Sequence, residues 1–196
     1  MKSLGTFVLI FFLSLVFCLP LTRASSGDTE TYAVDPIHST AFFKVGHYGF
    51  GFVTGSFTDI SGKIVVDRAR HTNSRVEIII KTESIDTNNS QRDEHLKSKD
   101  FFDVAQFSSM QFRSRSIKKS STNLYEVTGD FTLHGRTKTL TVPVRFIGEG
   151  KDHYGAYRVG FEAKFAIQRS EYGMTKYIPA AGDRVEIILV VEGIRQ

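Results

Sequence analysis

The chain has 196 residues, 25 Lys and Arg against 21 Asp and Glu for a formal charge of +4, and a single cysteine, Cys18. So mild a positive excess argues against a nucleic-acid binder, which gathers its cations into a basic stripe. One cysteine rules out a scaffold stapled by disulfides.

At the start, Lys2 precedes a charge-free apolar run from Leu4 to Leu19, which Pro20 breaks. Thr22-Arg23-Ala24 then puts small residues at the two positions a signal peptidase reads, so the pattern predicts a secretory signal peptide over 1–24. An uncleaved anchor competes, since spanning helices begin near ~17 residues, but an anchor needs neither Pro20 nor the small-residue exit. Lipidation at Cys18 is disfavoured by the bulky Phe17 before it. Cleavage would remove Lys2, Arg23 and Cys18, leaving a charge of +2 and one domain over 25–196, long enough for a sizeable core. It would have no thiol nucleophile. Thirteen of the 17 Phe and all seven Tyr stay in that domain, with no Trp, and the fold must place those rings.

Further along, period-two alternation dominates. Ala41, Phe43 and Val45 share one face, with Phe42 and Lys44 on the other. The run Val76 to Ile80 is apolar on both faces in part, as is Val185 to Val191, which predicts strands packed beneath another element. Val127, Gly129, Phe131 and Leu133 alternate with polar residues; so do Leu140, Val142, Val144 and Phe146, and then Phe161, Ala163, Phe165 and Ile167. Turn signals at Gly46 to Gly51, Asp59 to Gly62, His134-Gly135-Arg136 and Gly148 to Gly155 separate the strands. Many short strands with tight turns indicate a sandwich or an up-and-down barrel. Pro143 marks an edge or a bulge. One short helix is expected: Asn88 with Gln91 reads as a capping box, Arg92 to Lys97 as its polar body, and Phe101-Phe102 as the return to the core. Inserted between strands, it would lie as a cap over a barrel end.

The inward faces read either as an ordinary core or as the lining of a hollow. An eight-stranded barrel is wide enough for side chains to fill it or for one small ligand, and Ala163, Gly129, Ser114 and Ser116 are small at positions expected to face inward. His38, His47 and His95 lack the spacing of a zinc site; no metal or cofactor is expected, and a turn at Asp35-Pro36 accounts for His38. Arg92, Asp93, His95, Ser98 and Asp100 are the residue types of acid–base chemistry. Neighbours on a helix point apart, so a charged cap is the favoured reading, with Arg92 or His95 free to meet a polar head group at a barrel mouth. Neither a phosphate-binding glycine loop nor a nucleophile elbow is present.

Asp35-x-x-His38-Ser39, Phe43-x-Val45-x-His47-x-Gly49-Phe50 and Gly55-x-Phe57 resemble the opening of the YceI-like proteins. Thr82-x-Ser84-Ile85-Asp86-Thr87 and Arg92-Asp93-x-His95-Leu96-x-Ser98-x-Asp100-Phe101-Phe102 resemble that family's central motif. Gly129-x-Phe131-Thr132-Leu133-x-Gly135-x-Thr137-Lys138, Gly160 to Ala163 and Gly182-x-x-Val185-x-Ile187 follow in order, so the likeness runs from about Tyr32 to Gly193. The resemblance implies a single antiparallel eight-stranded, lipocalin-like barrel enclosing a polyisoprenoid or similar long-chain amphiphile, exported to the bacterial periplasm and sometimes dimeric. Phe43, Val45, Phe52, Phe112, Phe131, Phe161 and Phe165 are then expected to line the tail, with Arg92 and His95 at the mouth. The expected partners are that lipid and, in passing, a membrane; pairing as a homodimer is left open. Two alternatives stand beside a non-enzymatic carrier. One is a stress-related binding module acting through its surface or a dimer contact; the other is an enzyme on an isoprenoid-like substrate, with His95 and Asp93 in the catalytic roles.

Overall fold

The computed structural model describes residues 29–196; the expected signal peptide lies outside them. The strands are β1 (Thr29–Val34), β2 (Thr40–His47), β3 (Gly51–Phe57), β4 (Ile60–Asp67), β5 (Arg75–Lys81), β6 (Ile85–Asp86), β7 (Ser109–Lys119), β8 (Leu124–Leu133), β9 (Arg136–Lys151), β10 (Tyr157–Gln168) and β11 (Ala181–Arg195). One α-helix, α1 (Ser90–Lys97), follows β6. Neighbours in the order β1-β4-β5-β7-β8-β9-β10-β11 are paired, every pair antiparallel, and β1 pairs with β11 to close the ring. The result is a closed eight-stranded antiparallel barrel. Among the described residues, closure leaves unpaired edges only toward the helix end, where β3 meets β6 at just Ser56 and Phe57 and β9 runs past its last β10 partner at Val144.

Both β1 and β2 pair with β11, β1 with residues 193–195 and β2 with residues 181–190. They are one long strand interrupted at Asp35–Ser39. In the same way β3 and β4 are one strand broken only at Thr58–Asp59, a shorter interruption than the turn expected over 59–62. His47, Leu133 and α1 mark one end of the barrel, hereafter the helix end; Asp67, the 119–124 hairpin and Lys151 mark the far end. The His134-Gly135 hairpin has φ of 50° and 71°, the left-handed pair that a tight two-residue turn between twisted strands requires. Pro143 sits where the ladder from β9 to β10 stops, beside the last pair Ala163↔Val144, so its missing N–H leaves no partner unsatisfied. Among the described residues no second layer covers the strands expected to be buried on both faces: Ile188 on β11 is 40% exposed.

The helix begins one residue later than its sequence signature indicated. Asn89 is the cap, its side chain accepting from the Arg92 N–H at 2.9 Å. Asn88 instead takes φ 60° and donates its N–H to Asp86. Asn and Asp tolerate this conformation and favour such local bonds, so the cap shifts to the second asparagine and the capping box with Gln91 does not form.

The break at Asp35–Ser39 is held by charge. Asp35, 3% exposed, accepts from His38 Nδ1 at 2.8 Å, from the Ile37 N–H at 2.9 Å and from the Arg158 guanidinium. Arg158 also bonds Asp152 at 2.7 Å and Glu192 at 3.2 Å. Burial alone would raise the Asp35 carboxyl, but the bonds from His38, Arg158 and Ile37 outweigh it and hold it well below the usual carboxylate range. A depressed carboxylate stabilises the fold above its unfolded pKa, about 4, and that stability fades as the pH falls toward the folded value. We therefore expect Asp35→Asn to cost about 2–3 kcal/mol at pH 7 and to flatten the loss of stability between about pH 4 and pH 2. Urea unfolding across that range checks both; an unchanged slope would contradict the assignment.

Candidate functional site: an apolar cavity along the barrel

A cavity of about 750 Å³ runs inside the barrel, bordered at the helix end by Tyr48, Arg92, His95 and Tyr177 and at the far end by Arg68, Asn123, Tyr125 and Glu149. Between these ends the wall is almost wholly aliphatic and aromatic. The volume lies in the range of sites for small organic ligands, ~300–1,000 Å³.

The axis stays open because of where the rings lie. A Cβ on Gly129 would sit 2.6 Å from Phe112 Cζ and 2.4 Å from the Arg113 carbonyl oxygen; one on Gly55 would sit 2.6 Å from Phe43 Cζ. The tip of each ring reaches over a glycine on the adjacent strand, into the space a side chain there would fill. Elsewhere rings pack side by side around the wall: Phe43 with Phe57 at 5.8 Å, Phe57 edge-on to Phe102 at 5.3 Å, and Phe146 with Phe161 at 5.8 Å. Such offset and edge contacts are the geometry aromatic quadrupoles favour.

Phe43, Val45, Phe112, Phe131, Phe161 and Phe165 all border the cavity, as does Ala163. Phe52 does not. It is 67% exposed, opposite Gly46, with the Lys44 ammonium 4.5 Å from its ring centroid. Val53 and Phe57 are the inward residues of β3, and period two sends Phe52 outside. Ser114 and Ser116 are also absent from the lining: a bulge after Ser114 sets Ser116 opposite Thr128 instead of an inward residue, while Ser114 stays opposite Gly129. Ser114 Oγ accepts from the Val76 N–H at 2.9 Å, so it serves the ladder to β5.

At the helix end, Arg92 donates to Thr87 Oγ1 and to the Thr87 carbonyl, both at 2.7 Å, and Asp93 accepts from the Thr87 N–H and hydroxyl. His95 lies 3.4 Å from Asp100, which also accepts from the Tyr177 hydroxyl at 3.0 Å and meets Lys176 at 3.3 Å. The bond from Tyr177, then those from His95 and Lys176, keep the Asp100 carboxyl below its ordinary range. Asp93 is thus engaged with Thr87 while His95 bonds Asp100, so the acid–base types in this segment do not converge on one point. His95, Phe101 and Tyr177 form an aromatic cluster, with Phe101 and Tyr177 stacked at 5.7 Å.

Arg169 and Tyr177 had no sequence signal. Arg169 is 4% exposed and donates to the carbonyls of Met174, Lys176, Ala181 and Gly182 at 2.7–2.9 Å, holding the 173–182 segment to the barrel. Its guanidinium also lies 5.7 Å from the Phe101 ring centroid. Burial pulls its pKa down and Asp183 opposes that; Arg stays a cation throughout. A lone Arg after a strand carries no hint that four carbonyls will converge on it. Among the described residues, Asp35, His38 and Glu192 are the one grouping whose ligand atoms come within 4.8 Å of one another. Arg158 already bonds two of them, so a cation would have to displace a guanidinium.

Residues 32–193 match the profile of the YceI-like domain. The chain belongs to the YceI-like family. A relative called UPF0312 protein, from Ectopseudomonas mendocina (strain ymp), is 40% identical over 167 residues, covering 84% of this chain and 87% of its own. Among solved structures, Burkholderia cenocepacia BcnA superposes with a TM-score of 0.73 at 24% identity, over 81% of this chain and 98% of its own. A polyisoprenoid binding domain from Saccharophagus degradans, implicated in plant cell wall breakdown, superposes with a TM-score of 0.66 at 14% identity, over 84% and 98%. At those identities both structures establish the barrel, now seen around a cavity in this YceI-like chain.

Ring over glycine makes a direct test of how the YceI-like barrel is kept hollow. Gly129→Ala should destabilise the protein by about 1–3 kcal/mol, because backbone on one side and the Phe112 ring on the other must shift. Gly148→Ala, with nothing within 4 Å of the added carbon, should change stability by less than about 0.5 kcal/mol. Urea midpoints compare the two; equal effects would mean that the ring over Gly129 is not a tight contact.

Proposed function

We propose that this chain is an exported binding protein that encloses a polyisoprenoid or a similar long-chain amphiphile for carriage or storage, without catalysing a reaction. The observation that carries the reading is the apolar cavity along the barrel, with its polar side chains gathered mainly at the two ends. The Saccharophagus domain, described as binding polyisoprenoid, has the same fold, and the leader pattern at the start of the sequence supports export to the periplasm. Among the described residues no helix is long and apolar enough to cross a membrane.

The energetics favour exchange over permanent capture. Each buried CH₂ contributes roughly 0.8 kcal/mol against loss to water, so a chain of several isoprene units does not escape into solvent. A bilayer interior is equally apolar, so transfer between barrel and membrane is close to balanced. Mass spectrometry of an organic extract should find a long-chain lipid with the purified protein. Ala163→Phe, which fills the axis from a buried lining position, should lower the retained lipid about tenfold without lowering Tm. An extract free of such lipid, with no uptake of added polyprenol, would sink the reading.

Exchange needs a place of contact, and the helix end offers aromatic side chains. The β2–β3 hairpin tip carries Tyr48 and Phe50, 59% and 87% exposed and stacked at 5.9 Å, beside Tyr177 and the half-exposed Ile178. Aromatic residues of this kind settle at membrane interfaces. Three lysines nearby are paired, Lys44 with Glu186, Lys97 with Glu94 and Lys176 with Asp100, which leaves Lys99 as an exposed cation at this end. With most of that charge paired, contact should depend more on the aromatic side chains than on salt or anionic lipid. Phe50→Ser is expected to slow transfer of bound polyprenol to zwitterionic vesicles about tenfold while leaving equilibrium affinity unchanged. Fluorescence transfer kinetics measure the first and competition binding the second; equal transfer rates would remove the hairpin from the exchange.

A further inference from the structure

The far end of the cavity differs from the helix end. Arg68, just past β4, grips Glu149 on β9 with two parallel bonds, Nη1 to Oε1 at 3.0 Å and Nη2 to Oε2 at 2.6 Å. Its Nε donates to Glu30 at 2.9 Å, and Glu30 is braced in turn by the Tyr32 hydroxyl at 2.7 Å and by Arg195 at 2.8 Å. In the ring order β1-β4-β5-β7-β8-β9-β10-β11, β4 and β9 are four places apart whichever way one counts. The pair therefore joins opposite walls. Both residues border the cavity, and Tyr32, fully buried in the same core cluster as Ile64, Val159 and Val191, supports the brace through its hydroxyl.

We propose that the Arg68–Glu149 pair is a bar across the far end of the cavity and sets the longest apolar chain the barrel accepts. This rests on the carrier reading for its consequence, but not for its geometry. A tail threaded from the helix end meets charge and a forked ion pair at the far end instead of more apolar wall. Continuing past it would bury methylenes against a guanidinium and a carboxylate, which gives little stabilisation and costs desolvation. The fork fixes the bar's position, since a bidentate arginine–carboxylate contact has one geometry. Lysine at position 68 could not form it.

The test uses lipid-free full chain and a series of all-trans polyprenols of increasing length. For the unaltered protein, affinity should rise with each isoprene unit and then stop rising at a definite length. In Arg68→Ala that break should move at least one unit longer, with chains just past the old break binding about tenfold tighter and shorter chains unchanged. The charge swap Arg68→Glu with Glu149→Arg should return the break toward its original place. A second readout needs no lipid. In a Cys18→Ser background the sequence has no other cysteine, so Val144→Cys places a single thiol on the cavity wall five residues before Glu149. Its reaction with a maleimide should be about tenfold faster when Arg68→Ala is added. If no polyprenol binds either protein but the thiol rate rises, the carrier reading fails and the bar stands. A break that stays in place, or a thiol rate that does not change, overturns the bar.

Discussion

A sheet closed into eight strands must do something with its inner face, and the whole structure follows from how little of that space the side chains fill. Inward positions carry Phe at many places, enough to plug the axis if the rings pointed at it. They do not, because glycine on a neighbouring strand gives the ring somewhere to lie: Phe112 over Gly129 and Phe43 over Gly55. The wall thus becomes thick and close-packed while the centre stays open. Glycine in a strand usually weakens it, but covering the glycine with an aromatic ring restores the lost contacts. The hollow is built from ordinary strand packing and needs no unusual backbone.

Much of this was legible from residue order alone. Alternation placed Phe43, Val45, Phe131, Phe161 and Phe165 on the inner face, because a strand with one dry face repeats every two residues whatever its surroundings. Phe52 shows where that signal runs out. It is the second residue of a strand that starts straight after a turn, where Phe50, Phe52 and Val53 put apolar side chains on both phases, and a phase error of one residue exchanges inside for outside. Ser114 and Ser116 failed for a related reason, since a bulge adds a residue that composition does not announce. The helix cap slipped by one because two asparagines stand together and either can cap; the local bond from Asn88 to Asp86 decided between them. Arg169 and the Arg68–Glu149 pair were invisible because their partners are fixed by ring closure, which joins residues 81 apart in the case of Arg68 and Glu149.

The two breaks in the long strands show how a barrel of this length is kept in register. Between β1 and β2 the chain leaves the ladder for Asp35–Ser39, yet the Asp35 N–H still donates to the Glu192 carbonyl at 2.8 Å and Ser39 Oγ accepts from the Glu192 N–H at 3.1 Å. Backbone hydrogen bonds lost by the excursion are thus replaced by its two ends. Asp35, His38, Arg158 and Glu192 then tie the excursion to β10 and β11. The same residues that could be read as metal ligands are better understood as the clasp of a discontinuous strand, because the cation they require is a guanidinium already in place.

The two ends of the cavity give the barrel a direction. An apolar hollow with few polar groups cannot hold ordered water well, since each such water needs two to four partners; an apolar chain is the occupant the wall accepts. At the helix end the rim is aromatic, Lys44, Lys97 and Lys176 are paired with acidic neighbours, and Arg92 and His95 are already fixed by Thr87 and Asp100. A polar head group there finds donors held in position, among them the Arg92 guanidinium, whose bonds go to the neutral hydroxyl and carbonyl of Thr87. At the far end, Arg68 and Glu149 face each other across the cavity, so the same head group would have to break a forked ion pair in order to pass. On the proposed carrier function, the asymmetry favours a ligand that enters tail first and leaves the same way, with the membrane and the head group on the same side.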